Sequence, residues 1–160
     1  MTRLFAGVRG ISRFLHGIAG VSLVLLMLVT CADVVLRFFR RPIPGTYEIV
    51  GFAAAVAIGF AMPYTSWLRG HVYVDSMVGR LPSAARSFFH VATRLLSVGL
   101  FVLLGWNLVR FGMDLRASGE VSPTLELRFY PVAFGLAAAS FVQVIVLLCH
   151  IVKIVRGEYE

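Results

Sequence analysis

Residues 49–68 read IVGFAAAVAIGFAMPYTSWL, twenty positions without a formal charge, closed off by Glu48 on one side and Arg69 on the other. At about 1.5 Å of rise per residue, a helix of that length covers roughly 30 Å, the hydrocarbon thickness of a bilayer. Three more segments have the same character. Residues 18–32 are uncharged, and the apolar run continues past Asp33 to Leu36; residues 87–109 carry only Arg94 and His90; residues 129–149 carry no formal charge. A 160-residue chain with four such segments has little left for a water-soluble domain. The reading is an all-α integral membrane protein, a single membrane domain over residues 1–160. Its four transmembrane helices are expected near 14–39, 47–68, 84–113 and 131–155, with a short interfacial helix at 71–82 between the second and third.

Composition agrees. Only 14% of residues are charged and 59% are hydrophobic, against about 25% charged in soluble domains. The net charge of +7 is not a nucleic-acid signature, because the arginines sit at the ends of apolar segments and form no basic face. Cys31 and Cys149 both lie inside apolar segments, which argues against a disulfide framework or a metal cluster. No cofactor is expected, and the main surrounding of the chain is the lipid bilayer.

Arg3, Arg9 and Arg13 precede the first apolar run, and Leu28-Val29-Thr30-Cys31 faintly resembles a lipoprotein cleavage box. Thr30 is poorly suited to such a box, and the run continues through Val34, Val35, Leu36, Phe38 and Phe39. An uncleaved first helix is therefore expected. Four crossings put both termini on one side. The arm, middle loop and tail hold Arg3, Arg9, Arg13, Arg69, Arg80, Arg86, Arg94, Lys153 and Arg156. The two hairpin loops hold Arg37, Arg40, Arg41, Arg110, Arg116 and Arg128. Nine basic residues against six place the termini in the cytoplasm.

The first hairpin loop, Arg40-Arg41-Pro42-Ile43-Pro44-Gly45-Thr46, should end the first helix sharply, with Thr46 capping the second. Glu48 then falls in the first turn, where the helix dipole favours a carboxylate. Asp33 and Arg37 stand four apart and share a helix face, so they are expected to pair; an ion-coupling acid is the alternative. In the middle loop, Val74, Met77, Val78 and Leu81 recur at helical spacing, which suggests a helix in the interface plane. The second hairpin loop is the most polar stretch. Leu125, Leu127 and Phe129 alternate there with Glu126 and Arg128, as in an extended segment leading to Pro131 at the start of the last helix.

Gly51, Ala55 and Gly59 form a small-residue stripe on the second helix, with Gly135, Ala139 and Gln143 similarly placed on the fourth. Such faces let helices approach closely. Asn107 and Gln143 need partners within the bundle. No helix carries an acid near its middle or is plainly broken at midspan, as a self-sufficient ion-coupled transporter would usually require. Phosphate loops, metal-ligand spacing and nucleophile–base patterns are also missing, so the chain is not read as an enzyme. It looks like a subunit of something larger.

Three blocks carry a family resemblance: Arg41-Pro42-Ile43-Pro44-Gly45-Thr46-Tyr47-Glu48, Arg69-Gly70-His71-Val72-Tyr73-Val74-Asp75, and Ser122-Pro123-Thr124-Leu125-Glu126 followed by Pro131. Together they resemble the small membrane subunit of tripartite ATP-independent periplasmic (TRAP) transporters, from about Asp33 to the end of the fourth helix. Leu127-Arg128-Phe129-Tyr130-Pro131 departs from the family's shorter apolar lead into the proline. The resemblance implies a scaffold subunit in the bacterial inner membrane, packed on a large elevator-type subunit that imports an organic acid with sodium. It also implies a periplasmic binding protein as the second partner. On that reading Asp33–Arg37 holds the end of the first helix, His71 and Asp75 fix the interfacial segment, and Gly51, Ala55 and Gly59 form a close-packing seam. Arg41, Glu48, Glu120 and Glu126 are the candidates for the binding-protein surface. The alternative is a haem-binding or structural anchor of a respiratory complex, using His16 and His150 at one end of the bundle. A homo-oligomeric exporter would have only Asp33 as its coupling acid.

Overall fold

A computed structural model of the chain describes residues 2–68 and 83–155. Four helices account for most of them: α1 (Thr2–Phe38), α2 (Thr46–Trp67), α3 (Ser83–Ser118) and α4 (Tyr130–Val155). Each contains a stretch long and apolar enough to cross a membrane. The protein is thus a multi-pass, all-helical membrane protein. The interfacial helix expected at 71–82, with His71 and Asp75, lies outside the described residues.

α1 and α3 are longer than the apolar runs alone implied: α1 starts at Thr2, well before 14, although it ends at Phe38, within the expected 14–39, and α3 runs on to Ser118, beyond 84–113. At 37 and 36 residues they measure about 55 Å, well beyond a 30 Å hydrocarbon core. Hydropathy marks where a helix enters lipid, not where its backbone hydrogen bonding stops. Nothing between residues 2 and 13 breaks that bonding.

The helices form an open row and not a closed four-cornered bundle. α2 packs on α1 and on α4, α4 packs on α2 and on α3, and α1 touches α4 only lightly. The composition of α4 suits its central place. Ala133, Ala137 and Ala139 are buried, and Val146 is fully so.

Two seams set the register of the row. On the α2–α4 seam, Phe52 lies 5.2 Å from Phe129 between ring centroids, Gly59 faces Leu136, and Gln143 Nε2 donates to Ser66 Oγ at 2.6 Å. These contacts step by seven residues on both helices, the spacing that keeps two parallel helices face to face. Phe60 adds a ring against Gly135. On the α3–α4 seam, Phe141 fills the space over Gly105 and Phe134 the space over Gly112, again seven apart but running antiparallel. Glycine holes receiving phenylalanine knobs hold α3 in place; the spacing of both pairs is present in the sequence. Asn107 contributes no such tie, because its Nδ2 donates to Leu103 of its own helix at 2.8 Å.

Gly59→Leu should therefore break the α2–α4 seam. A Cβ at Gly59 would overlap the Leu136 side chain, and overpacking of this kind costs about 1–3 kcal/mol. The thermal midpoint in detergent should fall by several degrees; an unchanged midpoint would show that α2 and α4 are not packed in this register.

Candidate functional site

The two hairpin loops come together at one end of the row. α1 ends there in a glycine-type stop made without glycine. Arg41 N–H donates to Leu36 O at 2.9 Å and Arg40 N–H to Arg37 O at 3.0 Å, with Arg40 at φ +56°. This is the Schellman pattern, with an arginine at the left-handed position. Asp33 braces it from inside the last turns. Arg37 Nε donates to Asp33 Oδ2 at 2.6 Å, and the Ile43 N–H donates to Asp33 Oδ1 at 2.9 Å. Arg37 also stacks over Tyr47, with its guanidinium carbon 5.7 Å from the ring centroid. The Asp33 carboxylate thus ties the end of α1 to the loop, and Arg37 extends the tie to the first turn of α2.

Thr46 does not cap α2. Gly45 occupies the N-cap position at φ +74° with no side-chain cap bond, and the Thr46 hydroxyl instead donates backward to Ile43 O at 2.8 Å. The left-handed glycine lets the chain turn into α2 one residue earlier than the threonine would suggest.

Glu48 reaches from the first turn of α2 to the second hairpin loop. Its carboxylate accepts from Ser122 Oγ at 2.6 Å, Thr124 N–H at 2.8 Å and Leu125 N–H at 3.0 Å. Three donors converging on an ionised carboxylate make a strong, charge-assisted clamp. The loop is not the extended segment that its alternating residues suggested. Residues 123–125 form a turn closed by Glu126 N–H to Ser122 O at 3.1 Å and Ser122 N–H to Leu127 O at 2.9 Å. A single antiparallel bridge joins Val121 and Arg128, and Glu126 sits at φ +54°. The Glu48 carboxylate anchors that turn, and an alternating pattern cannot reveal an anion supplied from 74 residues away. Ser122 is 1% exposed and Leu125 packs directly over Gly45. The two loops form one platform.

Arg41, Glu120 and Glu126 are exposed on the platform rim, whereas the Glu48 carboxylate is turned into it. Beneath the platform, α2 and α3 flank an open groove floored by α4. Its upper part, about 370 Å³, is lined by Glu48, Gly51, Ala55, Phe111, Phe129 and Leu136 among others. A lower part of about 290 Å³ continues past Ala55 and Leu136 to Gly59, Phe101 and Gln143. The stripe on α2 is therefore divided. Gly59 is closed by Leu136, but none of the described residues comes within 4 Å of a Cβ at Gly51.

At the opposite end, His16 stacks on Tyr64 at 4.8 Å and His150 on Trp67 at 6.1 Å between centroids. Each imidazole thus meets a different aromatic ring of α2. Among the described residues, no three His, Cys, Asp or Glu side chains converge as a metal site would need.

Residues 26–157 match the family described as "Tripartite ATP-independent periplasmic transporters, DctQ component". No curated protein and no solved structure matches the chain.

Proposed function

Since the chain belongs to the DctQ component family of TRAP transporters, we propose that this small subunit is a scaffold on which a large, substrate-moving membrane subunit packs. The transporter imports an organic acid together with sodium, and a periplasmic binding protein delivers the acid to the platform made by the two hairpin loops. Both termini lie in the cytoplasm of a bacterial inner membrane. The observation that carries this reading is the open groove between α2 and α3, lined by Gly51 and Ala55, where none of the described residues closes over Gly51. It fits a partner helix, since small residues are what allow membrane helices to touch. Support also comes from the lack of any Asp or Glu in mid-helix, because coupling ions need such groups and the large subunit would have to supply them.

Gly51→Leu tests the scaffold role. The space around Gly51 is open, so the isolated subunit should keep its thermal midpoint. Overpacking at an intersubunit contact costs roughly 1–3 kcal/mol, so affinity for the large subunit should fall by roughly five- to a hundredfold, and co-purification with it. Full recovery of the complex would remove this groove from the interface.

The docking role rests on the exposed rim residues Arg41, at the end of α1, and Glu120 and Glu126, on the loop that the Glu48 clamp holds. Reversing Glu120 and Glu126 to lysine should slow uptake roughly three- to tenfold when binding protein is limiting, and little when it is saturating, because rim charges act mainly on association rates. Unchanged uptake at limiting binding protein would take both residues out of the docking face.

A further inference from the structure

The outward face of α1 carries a second groove, independent of the transport reading. It lies on the side of the helix away from the row. Ser12, Ala19 and Asp33 are buried against the other helices. At 100° per residue, Gly17, Gly20, Val24 and Leu28 point roughly the opposite way. A dent of about 630 Å³ is lined by these residues together with Val21 and Leu25. Among the described residues, no atom outside the helix's own local backbone lies within 4 Å of a Cβ at Gly17 or Gly20, so these two positions leave the face recessed and open.

Its position in the bilayer follows from charge. Between Arg13 and Asp33 no residue of α1 bears a formal charge, and twenty residues of helix rise about 30 Å. Arg13 therefore stands at one edge of the hydrocarbon and Asp33–Arg37 at the other. From Gly17 to Leu28 the dent runs about 16 Å, close to the depth of one leaflet. Arg13 falls on the same helix face as Gly17 and Gly20, and Arg9 lies one turn beyond it in the headgroup layer. Both arginines are exposed, and among the described residues neither is paired with a carboxylate.

We propose that this face binds an anionic phospholipid, its phosphate held by Arg9 and Arg13 and one acyl chain laid in the Gly17–Leu28 dent. Charge complementarity selects the occupant. Two exposed guanidiniums match a phosphate through their planar forks, and the uninterrupted apolar strip beneath them runs the length of an acyl chain in that leaflet. A zwitterionic lipid would fit the dent but gain less from the arginines.

The test uses the full chain in detergent, titrated with dioleoyl phosphatidylglycerol or dioleoyl phosphatidylcholine and read as bound lipid by native mass spectrometry. The wild-type protein should retain phosphatidylglycerol over phosphatidylcholine by up to roughly thirtyfold, about what two surface arginines contribute. Arg9→Gln with Arg13→Gln should bring that ratio near one, and the Arg→Lys pair should restore part of it. Gly17→Leu with Gly20→Leu should lower retention of both lipids. All these substitutions lie on an exposed face, and an unchanged thermal midpoint verifies that each variant folds. Inorganic phosphate should not compete. A preference unaltered by the double arginine change, or full competition by inorganic phosphate, would overturn the assignment. So would Val24→Cys crosslinking to another polypeptide in native membranes, which would show that a protein helix covers this face.

Discussion

Gly45→Val should be the most damaging single substitution at the loop end of the molecule. Residue 45 holds φ +74° and its Cβ direction runs straight into Leu125. An L-residue in the left-handed region costs roughly 1–2 kcal/mol, and β-branching raises that. Overlap with a packed side chain adds about 1–3 kcal/mol. Together the loss is about 2–5 kcal/mol, a large share of the stability of a small domain. It should appear as a clear drop in the thermal midpoint in detergent. The two causes separate in a double variant. Gly45→Ala alone should carry both penalties in milder form, and adding Leu125→Ala should recover the steric part while leaving the backbone part. A Gly45→Val protein with the wild-type midpoint would mean that the two loops do not meet as described.

Glu48→Ala should detach the second hairpin loop while leaving the helices standing. The substitution removes one acceptor from three donors at once, the Ser122 hydroxyl and the Thr124 and Leu125 amides. Hydrogen exchange at Thr124 and Leu125 should accelerate by roughly one to two orders of magnitude, with the α2 and α4 cores unaffected. Glu48→Gln should fail in part. The amide oxygen can take the place of Oε2 and keep the Ser122 and Leu125 bonds, but the NH₂ would then face the Thr124 N–H, where Oε1 now accepts. Exchange rates that stay at wild-type values would place the loop's support elsewhere. If the platform receives the binding protein, Glu48→Ala should also depress uptake at limiting binding protein, with the rim charges Glu120 and Glu126 still present but no longer fixed in position.

The Glu48 clamp shows why a residue can be noticed in a sequence and still be misread. Its place in the first turn of α2 is legible, since an acid there satisfies the helix dipole. That explains why a carboxylate is tolerated at Glu48 but not where its oxygens go. The partners lie more than seventy residues away on a loop whose alternating residues look extended. Asp33 is the contrasting case. Its arginine stands one helical turn along on the same face, so a spacing rule suffices to bring the two together. The bond from Asp33 to the Ile43 amide depends on how the loop folds back, and the spacing rule does not reach it.

The groove between α2 and α3 makes the same point at larger scale. Gly51, Ala55 and Gly59 form one stripe in the sequence, four residues apart. In the folded chain Gly59 is closed by Leu136 and Gly51 is open. One periodic pattern therefore serves two surfaces, and only the placement of α4 divides them. The paired spacings of Gly105 with Gly112 and Phe134 with Phe141 were equally available. Nothing local says that one pair should receive the other.

What the sequence determined by itself was the solvent, the number of crossings, the family and the within-helix pairing of Asp33 with Arg37. These depend on residue type and spacing along one continuous segment, and hydropathy and helical periodicity act at that range. The tertiary structure alone decided the order of helices in the row, the left-handed arginine that ends α1, the meeting of Gly45 with Leu125 and the reach of Glu48 into the second loop. Each of these depends on the register between segments far apart in the chain. That register is set by the simultaneous fit of many side chains, and no local pattern encodes it.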